Sequence, residues 1–404
     1  MRQQFRSKRR IVEAVGQGLL TGLILAAFFL AGFVVRGQVP VTAQSKQDTE
    51  FPLLAEVEQL VQDHYLREIP NGPEMEYAAI RGYLGRLNDP YTFFNDPPVA
   101  QSESDVLAGQ YGGIGAHVRR DEVGNFVLFP APDSPAEQAG IEQGDLLVAV
   151  NGQSLATDER TDVVDQMLRG EVGEGRGVTI TVRRPSQEET NDYFIEFAVV
   201  ADPSVVWRMA QDDPAVGYIQ IIRFTSRTPD ELHSAIADLR EQGTQALVLD
   251  LRGNAGGLLA ESVEVTSEFL DGGVVFYEKT RDGEEPTETT QTGTATDLPL
   301  VVLVDGGTAS AAELVAGAIK DRERGILIGQ KTYGKGSVQL IFRLSDNSSI
   351  HITSAEWFTP AHAALSGNGL EPDIVTTPTD DGRDVELGEA LNQLTSQIAA
   401  PAGS

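Results

Sequence analysis

The sequence contains no cysteine, which excludes disulfide bonds, thiolate catalysis and cysteine-ligated zinc. Histidine is also scarce, with five residues at positions 64, 117, 233, 351 and 362. No pair among them has the HxxxH spacing, or a similar one, that would place two imidazoles on one metal ion. We therefore expect no metal site in this protein.

Basic residues are few relative to acidic ones. The 404 residues include 31 Lys and Arg against 60 Asp and Glu, which gives a formal net charge of -29. A field of this sign repels a phosphate backbone, so nucleic acid is not expected as a partner. We attribute the acidity to solubility. The length is sufficient for two or three domains with a sizeable core.

A long apolar run occurs near the N-terminus. Five Arg and Lys within residues 2–10 precede the run "GLLTGLILAAFFLAGFVV" at residues 18–35. With a rise of about 1.5 Å per residue, a helix of this length is about 27 Å long and spans the apolar part of a bilayer. The basic cluster is expected to stay cytoplasmic, which places everything after Arg36 outside.

This N-terminal segment has two interpretations, a retained signal anchor and a cleaved signal peptide. Val41-Thr42-Ala43 resembles the small-x-small motif of a cleavage site before Gln44. The apolar run is longer than the roughly 7–15 residues usual in a signal peptide, which favours the anchor. The expected location is therefore the cell membrane, with a single span. Cleavage near Ala43 would instead give a secreted protein.

Composition and periodicity divide the rest of the chain. Apolar residues recur every three or four positions from Phe51 and again from Met75 to Leu87, which predicts helices. Short apolar runs then alternate with glycines, as in a compact β module, and later strands alternate with helices, as in an α/β sheet. The predicted segments are 1–36 (basic tip and anchor), 37–50 (linker), 51–104 (helical region), 105–200 (β module), 201–378 (α/β core) and 379–404 (helical tail).

The predicted fold class is α/β, in an α+β multidomain chain with a mixed sheet in its core. Within that core, residues 280–297 are rich in Thr, Glu and Gly, and we expect an exposed loop there. The tail after residue 376 is polar and acidic, and it is expected to end in a helix over residues 387–398.

The stretch "TASAAE" at residues 308–313 contains a candidate nucleophile, Ser310. This serine follows the apolar strand "LPLVVLVD" and a Gly-Gly-Thr turn, and it begins a predicted helix. The unpaired amides in the first turn of a helix can stabilise an oxyanion. The alternative is a serine that only caps the helix, which is common at helix starts, and the motif taken alone favours the cap.

A candidate base, Lys335, lies in "TYGKGSVQ" between two glycines that allow another segment to approach closely. A buried lysine with a lowered pKa can activate a serine. The alternative is a lysine on a surface turn, which the motif alone favours.

The Gly-rich turn in "LDLRGNAGGLL" could direct amides into a site, or it could be an ordinary turn in which Asp250 and Arg252 form an ion pair.

Taken together, these motifs resemble the carboxyl-terminal processing proteases, also called tail-specific proteases, a family of serine peptidases with a Ser-Lys dyad. The resemblance covers residues 105–375, about two-thirds of the chain. The stretches that carry it are, in family order, "YGGIGAHV", "SPAEQAGIEQGDLLVAVNGQSL", "LVLDLRGNAGGLL", "VLVDGGTASAAELVAGAIKDRERGILIGQKTYGKGSVQ" and "GNGLEPDI". The offset from Ser310 to Lys335, 335 − 310 = 25 positions, also matches the family.

The resemblance implies a role for each matching residue. Ser310 matches the nucleophile, Lys335 the general base and Gln339 the glutamine that orients the lysine. Alternate residues of a strand share a face, so positions 335 and 339 could act together. The family often has Ser-Ala-Ser-Glu where this chain has Ser-Ala-Ala-Glu, so only the first serine remains. The oxyanion hole is expected at the backbone of Gly256, Gly257 and Ala311.

The β module is similar to a PDZ domain, in which "YGGIGAHV" matches the carboxylate-binding loop. The resemblance implies that the amides of Gly113, Ile114 and Gly115 hold a terminal carboxylate while the next strand pairs with the peptide. An apolar pocket would select an apolar C-terminal side chain. An ordinary β-turn is the alternative. PDZ domains of this family can gate the active site, and Arg169 is a candidate for that role.

Histidine offers an alternative base. His351 lies in "SSIHITSAEWF" and alternates with apolar residues, which is typical of a hydrogen-bonded histidine on a strand, and His117 lies in the carboxylate-loop motif. Catalytic triads occur in several chain orders, so a Ser-His-Asp arrangement remains open. The offset and the glycine context of Lys335 match together, and Lys335 is the favoured base.

The expected function is that of a membrane-anchored, extracytoplasmic serine endopeptidase that needs no cofactor or metal. Its expected partners are protein substrates with apolar C-terminal tails. A homo-oligomer could form through residues 51–90 and the C-terminal helix. Two alternatives have no turnover: a PDZ scaffold with a degenerate protease fold, and a chaperone-like binder of protein tails.

Overall fold

The structure, a computed structural model, describes residues 51–70, 72–121, 123–156, 159–185, 189–377, 379 and 383–399. The expected membrane span at 18–35, the cleavage site near Ala43 and the linker at 37–50 lie outside these residues. Over the described ranges, no helix has both the length and the apolar character that crossing a membrane requires.

The first described helix, α1 (Pro52–His64), belongs to a unit of its own that ends at Asn71. Pro52 occupies its first turn, where the missing N–H removes no helical hydrogen bond. None of its residues is buried, and apolar side chains such as Leu53 and Leu60 are exposed. The predicted helix at this position is confirmed.

The second unit, Gly72–Ser404, begins with three short elements. The amino-acid sequence accounts for both ends of the third element, helix α3 (Pro97–Ala108). Two prolines occupy its first turn, and Gly109 follows it with φ 64°, a left-handed conformation that favours glycine. A side chain at Gly109 would also collide with Thr225, since its Cβ would lie 2.7 Å from Oγ1. The elements are α2 (Gly72–Gly85), β1 (Phe93–Asn95) and α3 (Pro97–Ala108).

The β module contains a sheet with the strand order β3-β4-β5-β7-β8, and β6 pairs with β5. Strand β3 forms one edge of this sheet and lies beside helix α5, while β2 pairs separately with β9. Alternating apolar side chains fill a core of its own. The elements are β2 (Gln110–Gly113), β3 (Ala116–Arg120), β4 (Phe126–Pro130), α4 (Pro135–Gln138), β5 (Leu146–Val150), β6 (Gln153–Ser154), α5 (Thr161–Met167), β7 (Gly177–Arg183), β8 (Thr190–Glu196) and β9 (Ala198–Ala201).

The α/β core is built on a sheet with the order β10-β11-β12-β15-β16-β19, parallel except for β10. All five residues of β12 and of β15 are buried, as expected for parallel strands covered on both faces. Helices α6, α7 and α8 pack on one face and α9 on the other. The elements are β10 (Val205–Met209), β11 (Val216–Ile221), α6 (Thr228–Glu241), β12 (Ala246–Asp250), α7 (Leu259–Phe269), β15 (Leu300–Val304), α8 (Ala311–Asp321), β16 (Ile326–Gly329), β19 (Ile374–Val375) and α9 (Val385–Ala399).

A second sheet in the core corrects one expectation. The predicted exposed loop over residues 280–297 is wrong, because β14 (Glu284–Thr292) pairs there with β13 (Asp271–Lys279). Only the turn from Thr280 to Gly283 lies between them, closed by a 2.8 Å backbone hydrogen bond. Threonine is β-branched and favours strands, so a Thr-rich polar run can form one. The remaining strands are β17 (Ser337–Arg343) and β18 (Ser349–Phe358), in the order β1-β18-β13-β14 with β17 on β18.

Ion pairs attach α9 to the end of β12. Asp250 is buried and accepts hydrogen bonds from Tyr218 Oη at 2.7 Å and from Arg252. Arg252 also binds Asp384, at 2.7 Å and 2.9 Å, just before α9 begins. Burial by itself would raise the pKa of Asp384, but the hydrogen bonds from Arg252 outweigh it and the pKa is lowered. The predicted Asp250–Arg252 ion pair is thus part of a larger network.

Candidate active site

Ser310 stands at the N-cap of α8 in an unusual backbone conformation, with φ 56° and ψ -122°. A non-glycine residue at positive φ costs free energy, and such residues cluster at functional sites. The serine follows β15 through the turn at Asp305–Thr308, in which Thr308 N–H donates to the Asp305 carbonyl at 3.0 Å. A sharp turn from strand to helix exposes the side chain at the edge of the sheet.

A cavity of about 250 Å³ opens beside Ser310. The Gly-rich turn lies there too, because it follows β12, the parallel neighbour of β15, and the carboxyl ends of both strands meet at one edge. The structure therefore brings together residues from three sequence motifs. The predicted site residues that line the cavity are Ser310, Ala311, Lys335, Gln339, Gly256 and Gly257.

The buried carboxylate of Glu313 connects the serine segment to the lysine segment. Its Oε2 accepts the amide of Ser310 at 2.9 Å and that of Lys335 at 2.9 Å. Its Oε1 accepts the Gly334 amide at 2.7 Å and the hydroxyl of Thr332. Our sequence analysis assigned no role to this residue, although Ser-x-x-Glu at a helix start is the signature of a capping box.

Lys335 is half-buried in the segment before β17. Burial lowers the pKa of its amine, while the charge of Glu103 acts in the opposite direction. Its Nζ lies 5.3 Å from the centre of the Tyr91 ring. Among the described residues, no hydrogen bond joins Nζ to Ser310 Oγ, although both residues line the cavity.

Gln339 lies on β17, after an irregularity in the pairing between Val338 and Gln339. Its side-chain amide donates to Ser337 Oγ at 2.8 Å. The strand begins only at Ser337, so the expected alternation of residues on one face does not extend back to Lys335. The glutamine therefore lines the cavity but does not bind the lysine in this structure.

The backbone amides of Gly256 and Gly257 differ in their hydrogen bonding. Gly256 N–H donates to Asn254 Oδ1 at 2.8 Å, so it is already engaged. A side chain at Gly256 would collide with the serine, because its Cβ would lie 2.8 Å from Ser310 Cβ. The amides of Gly257 and Ala311 have no hydrogen-bond acceptor within the described residues and border the cavity. Gly257 has φ 145° and could not carry a side chain beside the Phe224 carbonyl.

The loop expected to bind a carboxylate is closed by the segment that follows α5. Ile114 is fully buried, and its amide donates to the Leu168 carbonyl at 3.2 Å. Gly113 forms a bridge with Arg169, and Gly115 has φ 71°, with Ser134 2.6 Å from where a Cβ would stand. The expected loop residues are therefore adjacent, and the amide of Ile114 is occupied.

Arg169 joins the β module to helix α3. Its guanidinium binds Asp105 of α3 at 2.9 Å and also Asp165 of α5. The same group stacks over the ring of Tyr111, 4.0 Å from its centre. Leu107, on α3, lines the cavity that contains Ser310. Arg169 is thus linked through one helix to the wall of the candidate active site.

The two histidines considered as bases make no hydrogen bond to Ser310 within the described residues. His351 is buried on β18, with its Nε2 2.8 Å from Glu103 Oε2 and its ring stacked on Phe93. It lines the cavity without a hydrogen bond to Ser310. His117 is exposed on β3. The arrangement is that of a hydrogen-bonded strand histidine.

Comparisons with known proteins assign the chain to a family. The sequence model of Peptidase family S41 matches residues 215–376, and that of a PDZ domain matches residues 127–184. The carboxy-terminal-processing protease of Bartonella bacilliformis is 33% identical over 380 residues, which cover 90% of this chain and 86% of that protein. The chain belongs to peptidase family S41. The expected resemblance to the carboxyl-terminal processing proteases is confirmed, as is the PDZ domain.

Other members of the family are similar over most of the chain. The carboxyl-terminal-processing protease of Synechocystis sp. is 31% identical over 358 residues, 84% of this chain and 82% of that protein. A solved structure of a photosystem II D1 C-terminal processing protease is 30% identical, covers 85% of this chain and 92% of that one, and has a TM-score of 0.48. This S41 family member is a serine-type peptidase with a PDZ domain.

Replacement of the buried carboxylate tests whether it positions the site. In Glu313→Gln one oxygen becomes an amide nitrogen, so two of the four donors lose their acceptor whichever way the side chain turns. We expect kcat for peptide cleavage to fall by about 100-fold, since displacements of about 1 Å have such effects. The matched control is Glu371→Gln, which removes an exposed charge paired with Lys331. Wild-type kcat in Glu313→Gln would contradict the role.

Proposed function

We propose that this S41 peptidase is a membrane-anchored, extracytoplasmic endopeptidase that cleaves with a Ser310–Lys335 dyad and captures substrate C-termini in its PDZ domain. One observation carries the dyad: both residues line a single cavity, and the amides of both donate to the same buried carboxylate, Glu313. A carboxylate that receives both amides holds the two segments at a constant separation.

In the proposed reaction the neutral amine of Lys335 removes the proton from Ser310 Oγ, which attacks the carbonyl carbon of a peptide bond. The amides of Gly257 and Ala311 donate to the oxyanion. The Lys335 ammonium then protonates the leaving amine. Lys335 next takes a proton from a water molecule that attacks the acyl-enzyme, and the ammonium returns this proton to Ser310 Oγ as the ester bond breaks and the product acid is released. Burial supports this role because it favours the neutral amine.

The absence of a hydrogen bond between Ser310 Oγ and Lys335 Nζ, within the described residues, fits a resting state. Catalytic hydrogen bonds are often long in free enzymes and form only when substrate binds. In the proposed active state Ser310 Oγ bonds to Lys335 Nζ, and the side chain of Gln339 turns from Ser337 to orient the amine. The rearrangement of Gln339 is supported by its position, because Gln339 and Lys335 line the same cavity.

Removal of either dyad residue is expected to abolish turnover. We expect Ser310→Ala and Lys335→Ala each to lower kcat by at least about 10⁴-fold, as for other catalytic nucleophiles and bases. In the wild type kcat/KM should rise with pH, because the amine acts only when neutral, with a midpoint below the ~10.4 of an exposed lysine. Lys331→Ala is the matched control, since this nearby lysine is exposed and paired with Glu371. Activity of Lys335→Ala near the wild-type level would refute the dyad.

The PDZ groove supports capture of a C-terminal tail. Strand β3 is an edge strand beside α5, so an extended peptide can add to it by backbone hydrogen bonds. The terminal carboxylate would take the amides at Gly113–Gly115. The Ile114 amide now donates to Leu168, so a carboxylate that takes it displaces the segment 168–170. That movement pulls Arg169 from Asp105, which gives the proposed gate a physical connection to α3.

Truncation of the arginine tests the gate. A peptide with an apolar C-terminus, added in trans, should stimulate cleavage of a short internally quenched peptide by the wild type. In Arg169→Ala the rates with and without the tail peptide should converge, because the link to Asp105 is gone. Arg176→Ala serves as a control, since this exposed PDZ arginine pairs with Glu171 and not with α3. Undiminished stimulation in Arg169→Ala would show that the gate does not pass through this residue.

The location rests on the sequence. The basic cluster in residues 2–10 and the apolar run at residues 18–35 support a single span with the catalytic part outside. We expect the full chain to fractionate with membranes and to be degraded when intact spheroplasts are treated with protease. Recovery of the chain only from the soluble cytoplasmic fraction would contradict this part of the proposal.

A further inference from the structure

We propose that Glu103 on α3 is a positioning residue that stabilises the ammonium form of Lys335, so that the location of this helix sets the pH at which the dyad becomes active. The inference rests on the proposed dyad and adds a residue that acts through its base. It follows from the placement of a carboxylate in the wall of the cavity that contains Ser310 and Lys335.

Helix α3 presents two different faces to its surroundings. Glu103 and Leu107, one turn apart, line the catalytic cavity. Asp105 lies about 200° further round the helix, at about 100° per residue. From that opposite face it binds Arg169 of the PDZ domain at 2.9 Å. One rigid helix therefore carries a carboxylate at the active site and another at the PDZ contact.

The carboxylate of Glu103 is anchored on one oxygen. Its Oε2 is 2.8 Å from His351 Nε2 and accepts the side-chain amide of Asn95 at 3.2 Å. His351 is buried and stacked on Phe93, with 4.3 Å between ring centres. Within the described residues, the other oxygen, Oε1, has no donor. The carboxylate of Glu103 is thus held at the cavity wall, and its Oε1 can still accept a hydrogen bond.

The charge of Glu103 opposes the effect of burial on the lysine. Burial lowers the pKa of Lys335, and Glu103 raises it. Glu313 is also near, but four donors already compensate its carboxylate. The remaining titratable and charged groups around the cavity are Arg223, His351 and Tyr91, with Tyr333 beside Tyr91. Glu103 is therefore a carboxylate of the cavity wall whose charge acts on the base.

This arrangement has a functional consequence. A base that must be neutral works less well beside a negative charge, so Glu103 restrains the enzyme while α3 stays in place. Displacement of α3, or loss of the Glu103 charge, lets the amine become neutral at lower pH. Since Asp105 of the same helix binds Arg169, the restraint is connected to the PDZ domain.

The test measures the amine directly. The chain has six lysines, at positions 8, 46, 279, 320, 331 and 335, so ¹³Cε-lysine labelling of the full chain gives few signals. The signal of Lys335 is assigned as the one that is missing from the spectrum of Lys335→Ala. In Glu103→Gln we expect its titration midpoint to fall by about one pH unit, and the acid limb of kcat/KM to fall equally. A purely structural role would change the plateau rate and leave both midpoints in place.

Two further variants provide matched controls. Glu371→Gln makes the same charge change at an exposed residue that pairs with Lys331, and should shift the Lys335 midpoint by less than about 0.3 unit. His351→Gln removes the partner of Glu103 but keeps its charge, so the midpoint should stay or rise. If Glu103→Gln does not fold, the Lys335 midpoint in His351→Gln still tests the inference. An unchanged midpoint in Glu103→Gln, an equal fall in Glu371→Gln, or a fall in His351→Gln would overturn the inference.

These outcomes are separate from the fate of the dyad. If Lys335→Ala cleaves peptides as the wild type does, the proposed dyad fails, whatever the titration of the amine. If Lys335 is required for turnover and Glu103→Gln leaves the midpoint in place, the dyad stands and only the role of Glu103 is lost.

Discussion

The candidate active site depends on one buried carboxylate. Glu313 accepts the amides of Ser310, Gly334 and Lys335 and the hydroxyl of Thr332, and so joins two segments that are separated by a helix and a strand. A buried carboxylate without donors would be costly, whereas one with four is stable and rigid. Because the donors are mostly backbone groups, the geometry they define is insensitive to which side chains surround it.

The parallel sheet supplies the frame for this contact. The central strands β12 and β15 are buried on both faces, so only the turns at their ends can present residues to a substrate. The turns that follow these two strands meet at one edge of the sheet. The network of Asp250, Arg252 and Asp384 fixes the first of these turns to the C-terminal helix. Glycine at 256 then permits the close approach of this turn to Ser310, and glycine at 257 permits its close approach to the backbone of Phe224.

Helix α3 connects this frame to the PDZ domain. It contacts the catalytic cavity through Glu103 and Leu107 and the PDZ domain through Asp105. In this structure the amide of Ile114, in the expected carboxylate loop, donates to Leu168, and no hydrogen bond joins Ser310 Oγ to Lys335 Nζ among the described residues. A short helix with polar contacts on two faces is suited to transmit movement, since such contacts exchange without disruption of an apolar core.

The sequence by itself determined the family, the PDZ domain and the alternation of strands and helices in the core, because these depend on local periodicity and on motifs of adjacent residues. It also brought Ser310, Lys335 and the two glycines to notice. Tertiary structure alone decided the contacts of Glu313 with Lys335, of Arg169 with Asp105 and of Glu103 with His351, which join residues 22, 64 and 248 positions apart. It also decided that the Thr-rich segment after β13 is a strand, since pairing with a neighbour outweighs a polar composition.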